Sequence, residues 1–193
     1  QDWQADLIWI SDEVAHALAE TVTNQGIFAA IPLPAQVQPD TLTGSWLLLD
    51  RVQDPGNIGT MVRTAAAAGL TGVVLGTGSV DQFSPKLIRS MQGSQFHIQV
   101  FSGALSEWIT KFKAIGTPVY GSELNPQAVS FREIQPAHNF ALIMGNEGQG
   151  MSDTLLQQTD QNLFIPMQGS AESLNVAIAA GVLLFQLQAV DKD

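Results

Sequence analysis

The 193-residue chain has no cysteine, few positive charges and no hydrophobic run long enough to cross a membrane. Without cysteine there is no disulfide framework, thiolate nucleophile or thiolate metal site. The three histidines (His16, His97 and His138) lack the spacing of metal ligands, so we expect no metal. No segment is typical of a signal peptide or a transmembrane helix, which favours a cytoplasmic protein without membrane contact.

Positive charge is scarce: eight Lys and Arg residues stand against 18 Asp and Glu, a net charge of -10. This balance argues against broad electrostatic binding of nucleic acid, because neutralising phosphates requires clustered cations. Any contact with RNA must therefore be local, or be helped by a segment outside this sequence.

Residues 1–40 are interpreted as an N-terminal extension and residues 41–193 as the main domain. In the extension, short apolar runs predict strands at 7–10 and 26–31, and Ser11 is placed to cap a helix over 12–20. Prolines at positions 32, 34 and 39 then give the composition of a linker.

From residue 41 the chain alternates between predicted strands and helices, which indicates an α/β domain with a mostly parallel sheet flanked by helices. The predicted strands are 46–49, 72–75, 96–101, 118–120, 140–144 and 163–165. The predicted helices are 58–68, 85–91, 105–115 and 152–158, with a closing helix that ends at 187.

Three polar, glycine-containing turns follow strands of this sheet, at 54–59, 145–150 and 166–173. Ligands of open parallel sheets collect at the carboxyl ends of the strands, and glycines let main-chain groups approach a ligand closely. The turns therefore predict a small-molecule site read largely by main chain. A dinucleotide loop at Gly76-Thr77-Gly78 is disfavoured, because Asp81 stands where the third glycine should be.

The closing helix is apolar on nearly every side from Leu174 to Leu187. Such a helix must be covered all round, by the core or by another subunit. Ser170 and Ser173 are candidate N-caps. Asn175 is an isolated amide among hydrophobic residues, interpreted either as a buried amide with satisfied hydrogen bonds or as a functional group.

A second set of polar residues stands near the predicted sheet edge. Asn57 can cap the helix that follows it, and Arg63 lies in an otherwise apolar stretch, where it needs an anion or an ion pair with Glu147. Ser173 and Asn175 belong to the same entrance region. The chain has no obvious histidine base and no Ser-His-Asp order, which weakens hydrolase interpretations.

Three segments together resemble the motifs of the SpoU/TrmH-class SPOUT (trefoil-knot) RNA 2′-O-ribose methyltransferase family. They are LDRVQDPGNIGTMVRTA at 49–65, IMGNEGQGMS at 143–152 and IPMQGSAESLNVA at 165–177. The resemblance covers roughly residues 41–190 in order and spacing. It implies a C-terminal deep trefoil knot, a homodimer through the knot region and the cofactor S-adenosylmethionine (AdoMet).

Site residues implied by this resemblance fall into two groups. Catalytic roles are expected for Arg63, which acts as a base or as a phosphate anchor, and for the residues that orient it and the ribose: Asn57, Glu147, Ser173 and Asn175. AdoMet is expected to be bound by main-chain groups of Gly145, Ile165 and Leu174, with Met167 and Ser122 as neighbours.

The activity implied is methylation of a ribose 2′-hydroxyl, with ribosomal RNA favoured over tRNA as the substrate. Many relatives that act on rRNA carry an N-terminal RNA-binding domain, and residues 20–26 resemble the end of one. A non-catalytic RNA-binding protein that retains the fold is the alternative from another class, and a Rossmann-type nucleotide enzyme is a second.

Overall fold

A computed structural model describes residues 6–19, 21–33 and 37–190. The chain divides into two compact units, Gln1–Ala35 and Gln36–Asp193. In the first, helix α1 (Asp12–Leu18) begins where predicted, because the Ser11 hydroxyl accepts the N–H of Val14. The strands predicted at 7–10 and 26–31 are wrong: both segments lack regular structure. An apolar run becomes a strand only beside a partner strand, and no described segment of this unit supplies one.

The second unit alternates strands and helices in the order expected. Its described strands are β1 (Trp46–Leu49), β2 (Gly72–Gly76), β3 (Gln99–Gly103), β4 (Val119–Ser122), β5 (Val129–Ser130), β6 (Ala141–Met144) and β7 (Gln161–Phe164). The helices are α2 (Pro55–Ala67), α3 (Pro85–Met91), α4 (Leu105–Ala114), α5 (Asp153–Leu156) and α6 (Val176–Leu187), with 3₁₀ turns at Ser94–Phe96 and Phe131–Glu133.

The strands form one sheet in the order β3-β2-β1-β6-β4-β7-β5, and every neighbouring pair is parallel. The predicted fold class is therefore confirmed. Strand β1 has the next strand of the chain, β2, on one side and the later strand β6 on the other. The order of the strands therefore reverses direction at β1. A reversal of this kind opens a crevice at the carboxyl ends of the strands.

Both faces of the central strand β1 are buried, as the alternation of its side chains shows. Leu47 and Leu49 pack in a cluster with residues of α2, α3 and α6, whereas Trp46 and Leu48 pack in a second cluster with α4. Successive side chains of a strand point to opposite faces, so each face of β1 packs against a different helix layer.

Two helix starts differ from the prediction. Helix α2 begins at Pro55, and its N-cap is Asp54, whose carboxylate accepts the N–H of Asn57 at 2.8 Å. Proline is favoured in the first turn because it has no N–H to satisfy, which moves the helix start upstream of Asn57. The N-cap of α6 is Asn175 rather than Ser170 or Ser173.

The core of the single chain covers only part of α6, so cover of the rest by another subunit stays a prediction. Ala177, Ala180 and Leu183 are buried in the core, but Ile178 is 56% exposed and Phe185 is 63% exposed. One apolar face of the helix therefore lies open. Among the described residues, no helix combines the length and apolar character needed to cross a membrane.

Candidate active site

A cavity of about 690 Å³ opens at the carboxyl ends of β4, β6 and β7. This volume is within the range of small-molecule sites. All five residues expected to bind the cofactor line it, together with two of the expected catalytic residues: Ser122, Gly145, Ile165, Met167, Leu174, Glu147 and Ser173. The structure thus brings together the ends of three strands and the segment that enters α6.

The loop from residue 145 to residue 150, here the β6–α5 loop, forms one wall of the cavity. Asn146 and Gly150 exchange two main-chain hydrogen bonds of 3.0 Å across it. A Cβ on Gly145 would lie 2.3 Å from the carbonyl carbon of Gly150 and 2.4 Å from the nitrogen of Met151. Position 145 therefore requires glycine, because backbone atoms of the returning loop occupy the space of a side chain.

A chain of side-chain hydrogen bonds joins three elements at the rim of the cavity. The Asn175 side-chain oxygen accepts the N–H groups of Ala177 and Ile178, so its NH₂ group faces Asn57 and donates to that amide oxygen at 3.0 Å. The Asn57 NH₂ group donates in turn to Glu147 at 3.1 Å. Asn175 is therefore an exposed linking residue, not the buried amide of the alternative interpretation.

Glu147 is held as a carboxylate by this network. Burial raises its pKa, but the hydrogen bond from Asn57 and those from the N–H groups of Glu147, Asp54 and Gln53 lower it, and the net pKa is below its usual value near 4.5. The charged form accepts these hydrogen bonds, so an anion is fixed beside the cavity at neutral pH.

Replacing Glu147 with glutamine is expected to make stability less sensitive to acid. Because the pKa of Glu147 is lower in the folded chain, its charge stabilises the fold above pH 4.5, and this contribution disappears as pH falls through the folded pKa. At neutral pH the free energy of unfolding of the wild type should exceed that of E147Q by at most about 1 kcal/mol. Urea unfolding at pH 7 and near pH 3 measures the difference. An equal difference at both pH values would contradict the prediction.

Arg63 does not join the other predicted residues within one chain. It is exposed on α2, does not line the cavity and makes no ion pair among the described residues. The ion pair with Glu147, one of the two sequence interpretations, is therefore absent from this structure. No carboxylate of the described residues forms an ion pair with Arg63, so its guanidinium is open to solvent there.

The sequence analysis did not predict the residues whose side chains hydrogen-bond to the backbone of the β6–α5 loop and its neighbours. The Asn146 side-chain oxygen accepts the N–H groups of Gly148 and Gln149, and its NH₂ group donates to the carbonyl of Arg51 at 2.8 Å. Buried Asp50 accepts the N–H of Ser152 at 2.7 Å. The sequence holds a signal for both, since Asp50 and Asn146 stand one and two residues after the ends of adjacent strands.

The cavity lining carries three carboxylates, from Glu123, Glu147 and Glu172, and the lining residues described include no Lys, Arg or His. Its walls also present apolar side chains, among them Leu163, Ile165 and Val176. Such a cavity suits a ligand that combines an apolar body with positive charge. Among the described residues no group of His, Asp and Glu could hold a metal ion.

These features define the class: an α/β domain with a parallel sheet and a small-molecule cavity built from loops at the strand ends. The model of the SpoU rRNA Methylase family matches residues 45–185. The chain belongs to this family, which confirms the membership expected from the three motifs.

Similar proteins include rRNA methyltransferases. The chain is 47% identical over 179 residues to the 23S rRNA (guanosine(2553)-2′-O)-methyltransferase RlmP of Bacillus subtilis, covering 93% of this chain and 71% of that protein. A Synechocystis relative, described as an uncharacterized tRNA/rRNA methyltransferase, is 38% identical over 182 residues, 92% of this chain and 65% of its own length.

Solved structures show the same architecture. AviRb of Streptomyces viridochromogenes, in complex with the cofactor AdoMet, is 31% identical with a TM-score of 0.68, covering 80% of this chain and 64% of that one. An RNA methyltransferase of the TrmH family from Porphyromonas gingivalis is 36% identical with a TM-score of 0.82, covering 90% of this chain and 70% of that one.

Proposed function

We propose that this chain is the catalytic part of an RNA ribose 2′-O-methyltransferase that uses AdoMet. The observation that carries the proposal is the cavity at the strand ends, with the Asn175–Asn57–Glu147 network fixed at its rim. The relative RlmP methylates a ribose 2′-oxygen of 23S rRNA, which favours rRNA as the substrate here. An rRNA substrate also favours the expected cytoplasmic location, which stays a prediction.

The cavity fits AdoMet by its chemistry. The main chain near Gly145, Ile165 and Leu174 lines it, the apolar walls suit the adenosine, and Glu123, Glu147 and Glu172 complement the positive sulfonium and amino groups. Ser122 and Met167 complete the walls. When bound, AdoMet would supply a methyl group activated by its positive sulfur; transfer to the ribose oxygen would break the S–CH₃ bond and release the hydroxyl proton to a base or to solvent.

The chain's own residues would position the ribose and assist removal of the proton from its 2′-hydroxyl. Asn57, Glu147 and Asn175 form a preorganised set that needs no rearrangement to hold a hydroxyl nucleophile, and Ser173 lines the cavity beside them. Arg63 would either accept the proton or anchor an RNA phosphate. As an exposed group outside its own cavity, Arg63 suits a role in the site of a second subunit.

The trefoil knot and the homodimer are part of this proposal. An exposed apolar face of α6, formed by Ile178, Val182 and Phe185 and extended by Leu174 just before the helix, is available to pack against a second copy. The helix begins at the rim of the cavity, so a second copy packed there would lie beside the site. Residues 1–40 are proposed to be an N-terminal extension that contains the last part of an RNA-binding domain and a linker.

Methyl transfer tests the activity directly. Incubation with rRNA and isotope-labelled AdoMet is expected to label ribose 2′-oxygens, which mass spectrometry of nucleosides identifies. Calorimetry with AdoMet alone separates the alternatives: absence of AdoMet binding would favour a non-catalytic RNA-binding protein that retains the fold. Transfer to tRNA alone would change the substrate class and leave the chemistry intact.

Placing a charge on the open face of α6 is expected to break the dimer. In Ile178→Glu the carboxylate would be buried against the second copy without a partner, which costs several kcal/mol, so sedimentation should report a monomer. Ile115→Glu is the matched control, since Ile115 is 52% exposed at the end of α4, away from α6. A dimer that persists in Ile178→Glu, or a monomeric wild type, would contradict the proposed interface.

A further inference from the structure

A second cavity, formed by residues 75–81 and 102–103, lies at the carboxyl ends of β2 and β3. Its volume is about 320 Å³. The sheet order places it on the same edge as the proposed AdoMet cavity, with β1 between the two. A polymer that runs along this edge can therefore occupy both cavities at once.

The lining of the second cavity suits a neutral polar ring. It offers the hydroxyls of Thr77 and Ser102, the carboxylate of Asp81 and the main chain of Gly76 and Gly78, and no described lining residue is basic. A phosphate would meet a carboxylate and no cation there. A nucleobase, which presents hydrogen-bond donors and acceptors along its edge, matches the same groups.

Arg51 connects the two cavities. Its side-chain Cγ lies 3.3 Å from where a Cβ on Gly78 would stand, and its guanidinium donates to Gln149 of the β6–α5 loop at 3.2 Å. A further 3.2 Å contact joins it to Asp50. The side chain is 35% exposed, and a guanidinium with five donors retains N–H groups for a phosphate.

The backbone at Arg51 supports a specific role for this side chain. Its φ is 55°, in the left-handed region that residues with a Cβ seldom adopt. Glycine adopts this conformation without a steric penalty, yet the residue at this position is an arginine. Arg51 lies two residues after the last residue of β1, at the strand end that separates the cavities.

We propose that the second cavity binds a nucleobase of the RNA substrate neighbouring the methylated nucleotide, with Arg51 contacting the phosphate between them. This inference rests on the proposed function and adds a subsite that reads sequence. Asp81 accepts N–H groups, so it favours the exocyclic amino groups of adenine, cytosine and guanine over the N3–H of uracil, which stands between two carbonyl oxygens that a carboxylate repels.

Binding of single-stranded oligoribonucleotides, one of each base, to the full chain tests the proposal by fluorescence anisotropy. Arg51→Gly suits the left-handed backbone while removing the guanidinium, and we expect it to weaken binding about tenfold. Asp81→Asn retains an acceptor for the N–H of Phe83, which Asp81 binds at 3.0 Å. This variant should lose the preference against uridine. Lys111→Gln removes a charge on α4 and should bind like wild type.

Photo-crosslinking of the same oligonucleotides is expected to map to residues 75–81 and 102–103. Cross-links confined to other segments, or unchanged binding in both variants, would overturn the subsite. Nucleoside monophosphates serve as the second probe: binding as tight as that of the oligonucleotide, and insensitive to Arg51→Gly, would indicate a free-nucleotide site instead. These measurements require no methyl transfer, so failure of the proposed activity is detected separately.

Discussion

Replacing Arg63 with alanine is expected to lower methyl transfer to RNA by about a hundredfold or more while AdoMet still binds. Loss of a general base or of a group that stabilises transition-state charge has an effect of this size. AdoMet affinity should persist, because Arg63 lies outside the cavity of its own chain. Single-turnover transfer and calorimetry measure the two quantities. Lys113→Ala, which removes an exposed cation of α4, is the control and should transfer normally.

The two roles considered for Arg63 predict different kinetics. If Arg63 is a phosphate anchor, it mainly affects RNA binding. Arg63→Lys keeps the positive charge, so it should retain much of the methyl-transfer rate at saturating RNA and change the salt dependence of RNA binding little. A proton acceptor affects the chemical step, so the same variant should change the pH–rate profile at saturating RNA. Normal transfer in Arg63→Ala would remove Arg63 from the mechanism altogether.

Gly145→Ala is expected to abolish AdoMet binding at concentrations that saturate wild type. The added Cβ would overlap backbone atoms of Gly150 and Met151 at 2.3–2.7 Å, so the β6–α5 loop must move. That loop forms a wall of the cavity, and a displaced wall cannot present its main-chain groups to a ligand. Calorimetry with AdoMet and thermal unfolding measure the effect, and we expect stability to fall as well.

The same loop provides a matched control for this substitution. A Cβ on Gly148 would meet only the Asn146 side-chain oxygen, at 3.8 Å, an ordinary contact distance. Gly148→Ala should therefore leave the loop closed, and AdoMet affinity should change much less than in Gly145→Ala. Equal effects of the two substitutions would show that the close backbone approach is unimportant.

Mixing the two inactive variants tests where Arg63 acts. In a heterodimer of Arg63→Ala with Gly145→Ala, the first subunit keeps an intact cavity and the second keeps its arginine. If Arg63 completes the site of the other subunit, the mixture should regain part of the wild-type rate. If Arg63 serves its own subunit, neither site is complete and the mixture stays inactive.

Sequence patterns located elements best where the flanking signals were local. Strand β1 (Trp46–Leu49) and helix α3 (Pro85–Met91) have the predicted bounds, since a continuous apolar run and a Ser-Pro start are unambiguous. The predicted strand at 96–101 begins only at Gln99, because a 3₁₀ turn occupies Ser94–Phe96. The two-residue strand β5 was missed, as so short a strand depends on its partner β7.

The amino-acid sequence alone determined the strand–helix alternation, the glycine turns and the family, because these depend on local preferences and on three long motifs. Only the tertiary structure decided that Asn175, Asn57 and Glu147 form one hydrogen-bonded chain while Arg63 stands apart. Residues 57 and 175 are far apart in sequence, and no local signal encodes which side chains meet. That information lies in the order of the strands, which folding of the whole sheet sets.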